Sequence, residues 1–287
     1  MDFDRLAAES FRANFPDVPV WEKDIAFLSG KEILDFCGLE AGELDVLDGS
    51  PPCQGFSTAG KRDVSDPRND LVLHFLRLVN EIRPKAFIME NVPGMVAGKM
   101  KGLFKEYMAE MERLGYSVKC KMLNAANYGV PQSRRRLFWV GIRQDIGVEF
   151  SFPKPDGRVV TVRKALYGCP DDEIVRPEGK ALWIAVRLRP GMTGSDIVRG
   201  RFYNLIRLRW DRPSPTVTAT VRRSQCGLLH PEENRFLTIA ELKRVSSFPD
   251  NFKLFGRFED RWRLVGNAVM PRQMLAVASA LKKAFQK

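Results

Sequence analysis

Three short stretches carry side chains whose types and spacing suit chemistry. In "LDGSPPCQGFS" two prolines hold a single thiol, Cys53, directly after the apolar run "ELDVLDG". In "AFIMENVPG" Glu90 and Asn91 follow a second apolar run, and in "PQSRRRLFWVG" Arg134, Arg135 and Arg136 lead into a third. A cysteine thiolate is a strong nucleophile. A buried carboxyl keeps its proton and acts as an acid, and a guanidinium supplies fixed positive donors. Each residue also has a plainer meaning. A lone cysteine can be a small core residue, a glutamate after a strand can be a turn carboxylate, and three arginines can be a solvated face or phosphate clamps.

The elements that must position these groups alternate between helix-like and strand-like patterns. Residues 5–15, 30–40, 71–82 and 100–116 show apolar residues near helical spacing. Residues 18–21, 43–49, 86–89, 117–125 and 136–142 read as strands. Such alternation predicts an α/β fold with a mostly parallel sheet covered on both faces. Ligands of such sheets sit at the carboxyl ends of the strands, where Cys53 and Glu90 both fall. From about Ser151 prolines break the pattern and basic residues cluster in "VRGRFYNLIRLRWDR". This predicts a catalytic unit of residues 1–150 plus 256–287 and a small, loop-rich unit of residues 151–255. Near the end, Thr238 and Glu241 stand in capping-box spacing, and Pro271 opens a last helix.

The formal charge of +11 on 287 residues favours a polyanionic partner, nucleic acid or an acidic membrane surface. No apolar run approaches the roughly 18 residues of a membrane span, and the acidic opening "MDFDRLAAESF" does not read as a secretion signal. A cytoplasmic location is expected. Five dispersed cysteines without a C-x-x-C pair, and only two histidines, argue against a disulfide framework or a bound metal.

Taken in order, "GSPPCQGFS", "MENVPGM", "NYGVPQSRRRLFWVG", "RPSPTVTAT" with "RFLTIAELKRVSSFPDNF", and "RWRLVGNAV" resemble the motifs of the bacterial DNA cytosine-5 methyltransferases. The resemblance spans nearly the whole chain. It implies a Rossmann-like methyltransferase sheet with a target-recognition domain, S-adenosyl-L-methionine as cofactor, and double-stranded DNA as partner. Cys53 would then add to carbon 6 of an extruded cytosine, and Glu90 would act as the acid toward ring nitrogen N3. Arg136 would contact the ring carbonyl, and Arg134 would help hold the cluster. Asp2, Phe3, Asp24, Ile25, Pro52, Leu71, Asn267 and Val269 match cofactor positions. Gln54, Ser57, Lys61, Arg62 and Arg68, on or beside a loop closing over the base, and Arg207 and Arg209 in the second unit would meet DNA.

One departure is large. The family opens with an apolar strand and a Gly-rich turn, and none precedes Asp2 here. An additional upstream segment is the expected explanation. A second chain supplying that strand, the protein otherwise being a monomer, or a cofactor-deficient remnant that only binds DNA are the alternatives. An RNA cytosine methyltransferase is a further one within catalysis. Smaller departures are Ser246-Ser247 before "FPD" and Trp262-Arg263-Leu264 before "VGN".

Overall fold

The computed structural model describes residues 1–51, 70–96 and 101–286. Within them a four-stranded sheet carries the first half. It consists of β1 (Val46–Gly49), β2 (Ala86–Asn91), β3 (Tyr116–Asn124) and β4 (Arg135–Arg143), in the order β1-β2-β4-β3. Only β1 and β2 run parallel; β4 is antiparallel to both its neighbours. This corrects the expected mostly parallel sheet. No α-helix separates β3 from β4, so the chain doubles back as a long hairpin instead of crossing over. The expected strand at residues 18–21 does not form. Pro16 and Pro19 cannot donate to a ladder, and the stretch is held instead by the Asp2 N–H on the Trp21 carbonyl, Arg12 on the Val20 carbonyl and the Val18 N–H on the Phe15 carbonyl (each 3.1 Å).

Helices form where caps and apolar spacing ask for them. They include α1 (Arg5–Asn14), capped by the Asp4 carboxylate, and α2 (Gly30–Cys37), closed at its start by a Ser29/Glu32 capping box. Next come α3 (Asp70–Ile82) and α4 (Lys101–Arg113). Strand alternation sorts the sheet into two faces. Phe87, Met89, Leu137 and Trp139 point to α3 and α4; Ala86, Ile88, Phe138, Val140 and Ile142 meet Val277 and Leu281 of α9 (Pro271–Phe285). Gly141 stands opposite Phe87, and a methyl group there would fall 2.2 Å from the ring. Among the described residues the outer edge of β1 pairs with no strand.

The second half has its own core. It contains α5 (Val162–Leu166), α6 (Gly179–Ala185), the parallel pair β5 (Leu205–Arg207) and β6 (Gly227–Leu229), α7 (Ile239–Val245) and α8 (Phe258–Asn267). Its buried residues run from Val162 to Val265, so Phe258, Trp262 and Val265 of α8 pack with this half and not with the sheet. The capping box of α7 and the proline opening α9 form as read from the sequence.

Candidate active site at the rim of the sheet

The rim chemistry follows from register. Glu90 pairs across to Phe138, so Arg136, two residues before Phe138, is its diagonal neighbour on the same face. Asp48 pairs with Ile88 and shares that face. Glu90 is 7% exposed, and Arg136 Nε lies 2.9 Å from its Oε1. The two form a buried ion pair. Burial is the largest influence on Glu90 and raises its pKa. Arg136 and Arg134 pull the other way without reversing it, and the charge of Asp48 adds to the rise. Asp48 keeps a solvent-facing side, but the protein packed around it pushes its carboxyl up to about 6. The result is a buried carboxyl pushed toward its protonated form, beside a guanidinium whose pKa burial lowers.

Asn91 holds Pro51, the residue two before Cys53 in the sequence. Its buried amide donates to the Pro51 carbonyl (3.1 Å), tying the end of β2 to the chain just ahead of Cys53. Pro52, Cys53, Gln54, Ser57, Lys61, Arg62 and Arg68 lie outside the described residues.

Arg134 does not join Glu90 through a hydrogen bond. It is 2% exposed and donates to the Val217 carbonyl and the Gly266 carbonyl, each at 2.9 Å. Burial brings its pKa down to about 9, which leaves it charged at neutral pH. Gln132, fully buried, works beside it. Its carbonyl accepts from the Val217 N–H (3.1 Å) and its amide donates to the Ser246 hydroxyl (3.1 Å). The Ser133 N–H donates to the Ser214 carbonyl there, and Gly266 backs directly onto Thr218 and Ala219, leaving no room for a Cβ. These bonds form a joint that sets the second half against the rim.

The segments that carry the residues matched to cofactor positions are tied to their neighbours by named bonds. Arg263 of α8 pairs with Asp4, bringing the helix that ends at Asn267 to the N-terminal segment. Arg77 of α3, the helix that contains Leu71, donates to the Ile25 and Leu28 carbonyls (2.9 and 2.8 Å). The Asp24 carboxylate accepts from the Ala26 N–H, and Asp2 accepts from the Asp4 N–H. The Phe3 ring is 71% exposed, an aromatic face without a cover. An uncovered aromatic next to carboxylates suits the adenine and ribose of a nucleoside, so this end fits S-adenosylmethionine. Val269 instead packs beside the core of the sheet face covered by α9.

Two residues expected to meet DNA are otherwise engaged. Arg207 is 3% exposed, and its guanidinium donates to the carbonyls of His230, Glu233 and Ala185 and to Asn234 Oδ1. It is an internal strut: four acceptors engage its terminal N–H groups where DNA cannot reach, while its Nε has no partner among the described residues. Arg209 remains half-exposed but is paired in bidentate fashion with Asp211 (2.9 and 2.7 Å). Asp48 and Gln132 join the rim and the joint without having stood out in the sequence. Gln132, Arg134 and Arg136 are two residues apart, and that spacing is the available sign that they share a side.

Residues 1–283 match the family model of the C-5 cytosine-specific DNA methylases. The chain belongs to this family. It is 37% identical to the Type II methyltransferase M1.HphI of Haemophilus parahaemolyticus, over 96% of this chain and 77% of that one. It is 30% identical to M.NgoPII of Neisseria gonorrhoeae, over 100% and 89%. A crystal structure of a prophage-encoded putative DNA modification methyltransferase from E. coli superposes with a TM-score of 0.81 at 26% identity, covering 100% of this chain and 92% of that one. The Spodoptera frugiperda DNMT2 structure shares the fold, with a TM-score of 0.69 at 17% identity, covering 100% of this chain and 91% of that one. This places the chain among the DNA cytosine-5 methyltransferases of DNA methylation and restriction–modification, a family that uses S-adenosylmethionine.

Proposed function

We propose that the chain methylates carbon 5 of a cytosine within a specific duplex DNA site, in the cytoplasm, through a transient bond between Cys53 and the base. Position 5 of cytosine is a weak nucleophile. The Cys53 thiolate adds to carbon 6, forming a sulfur–carbon bond as the C5=C6 π bond breaks; its pair moves between C4 and C5 while the C4=N3 pair moves onto N3, which makes carbon 5 the nucleophilic end of an enamine. Glu90 gives its proton to N3 as that density arrives, while Arg136 steadies the carbonyl oxygen. Bound S-adenosylmethionine would supply the electrophilic methyl group, its nucleoside held by Asp2, Phe3, Asp24 and Ile25, with Leu71 and Asn267 closing the cleft. Once carbon 5 carries the methyl, its proton leaves to a base. The sulfur–carbon bond breaks, and the thiolate and Glu90 return to their starting states. A base inside a duplex is out of reach of this rim, so it must be flipped out, at a cost of a few kcal/mol.

The observation that supports this reading is the buried Glu90 carboxyl, its pKa raised by burial, paired with Arg136 at the rim of the sheet. The half with the Val162–Val265 core would present the DNA. The test uses duplex containing 5-fluorocytosine, in which fluorine cannot leave as a proton. Wild type with cofactor should accumulate a covalent protein–DNA adduct, and Cys53→Ser should form none while still binding duplex. No adduct from a preparation shown to bind cofactor and DNA would refute the mechanism.

A further inference from the structure

The second half is rich in arginine, and the structure separates the engaged from the free. Arg207 and Arg235 are buried struts. Arg209, Arg223, Arg244 and Arg261 are held by Asp211, Glu259, Asp250 and Glu173. Arg187 lies on the Trp183 ring and donates to its carbonyl. Two loops stand apart. Residues 198–204, "VRGRFYN", and residues 220–226, "TVRRSQC", contain no acid. They lead into β5 and β6, which run parallel, so both loops emerge at the same end of that pair.

The loops are stitched together. The Gln225 amide donates to the Arg201 carbonyl (3.3 Å), and the Gly227 N–H donates to the Asn204 carbonyl (3.0 Å). Arg222 Nη1 reaches the Gln225 side-chain oxygen (3.5 Å), which draws that guanidinium toward Arg201. Phe202 anchors the first loop so closely against Gly194 that a Cβ there would lie 2.5 Å from it. On this braced support Arg199, Arg201, Arg222 and Tyr203 are exposed, and no described carboxylate neutralises the three guanidiniums. Charges that repel one another without internal relief suit a polyanion, and an exposed tyrosine beside them adds a flat donor surface.

We propose that this paired-loop tip, carrying Arg199, Arg201, Arg222 and Tyr203, contacts the duplex and selects where the chain methylates it. The proposal rests on the reading that the chain acts on duplex DNA. Arg199 and Arg201 stand in the same basic stretch of sequence as Arg207 and Arg209; the structure keeps the first two exposed and adds Arg222 and Tyr203. The test titrates a fluorescent duplex by anisotropy from low to physiological salt. It uses wild type, the Arg199→Ala/Arg201→Ala/Arg222→Ala variant, and Arg113→Ala as an exposed-arginine control on α4. The triple variant should unfold at the wild-type temperature, since these side chains brace no other element. Its log affinity against log salt should flatten by about 0.9 for each phosphate that the variant no longer neutralises. Hydrogen bonds to bases would instead change which sites become methylated, read by bisulfite sequencing of a random library. Either result supports the tip. An unchanged slope together with an unchanged methylation pattern, in a wild type that binds and methylates DNA, overturns the proposal alone. A wild type that does not bind duplex overturns the underlying reading and this one with it.

Discussion

Glu90→Gln preserves the shape of the rim carboxyl and removes its charge and its proton. Two effects compete for the outcome. Breaking a buried ion pair by removing one partner usually costs about 3–5 kcal/mol, and Arg136 Nε sits only 2.9 Å away. Against this, burial of Glu90 raises its pKa above the ordinary 4.5 despite both arginines, so the ionised form is the disfavoured one. The shift decides the sign. Wild type carries the full contribution of protonated Glu90 below the unfolded value near 4.5 and loses it as pH rises through the higher folded value. Gln mimics the protonated form and loses nothing. The variant should therefore gain on wild type by about 1.4 kcal/mol for each pH unit of the upward shift. About 1 kcal/mol of that returns to the new amide N–H groups if they lack acceptors. Urea unfolding followed by tryptophan fluorescence, from pH 4.5 to 8, reads the difference directly. Methyl transfer to duplex DNA should meanwhile fall by about 10²–10⁴-fold, the usual contribution of a positioned acid. A variant that is less stable than wild type at pH 8 but equal to it at pH 4.5 would refute the reasoning. Arg136 would then hold Glu90 ionised, and it could not serve as the acid.

Arg134→Met removes both bonds across the joint and should cost about 2–4 kcal/mol in urea unfolding, the gain from no longer burying a charge offsetting part of the loss. Arg207→Met leaves four internal acceptors without a donor. It should lower stability by about 3 kcal/mol or more, with the salt slope of DNA binding unchanged. Gly141→Ala drives a methyl into the Phe87 ring and should cost about 1–3 kcal/mol in thermal unfolding; Phe87→Leu in the same chain should restore part of it, the coupling expected of touching residues.

Much of this arrangement was legible in the sequence, because local chemistry specified it. The Thr238/Glu241 capping box and Pro271 at the head of α9 set helix starts by bonds within four residues. Glu90 could be placed at the rim because an apolar run ends there. Strand direction was less accessible: alternation of strands and helices suggests crossovers, whereas β3 and β4 are joined without an α-helix and so fold back antiparallel. Arginine side chains were the hardest to place. Arg207 follows Leu205 by two residues on β5, and both face inward, but a charged residue in a basic stretch reads as surface until its four acceptors are seen. They come from segments 22 to 27 residues away, beyond the range of any local pattern. The partners of Arg134, 83 and 132 residues distant, were equally out of sight.

The joint between the halves has a consequence for working on a charged polymer. Arg134 is answered by two carbonyl oxygens and Gln132 by main-chain and hydroxyl groups, so this joint contains no pair of opposite full charges; the Arg263–Asp4 ion pair links the halves elsewhere. Ionic strength that strips the molecule from its track has little to screen here. The bonds of this joint should therefore persist across salt concentrations that screen exposed ion pairs.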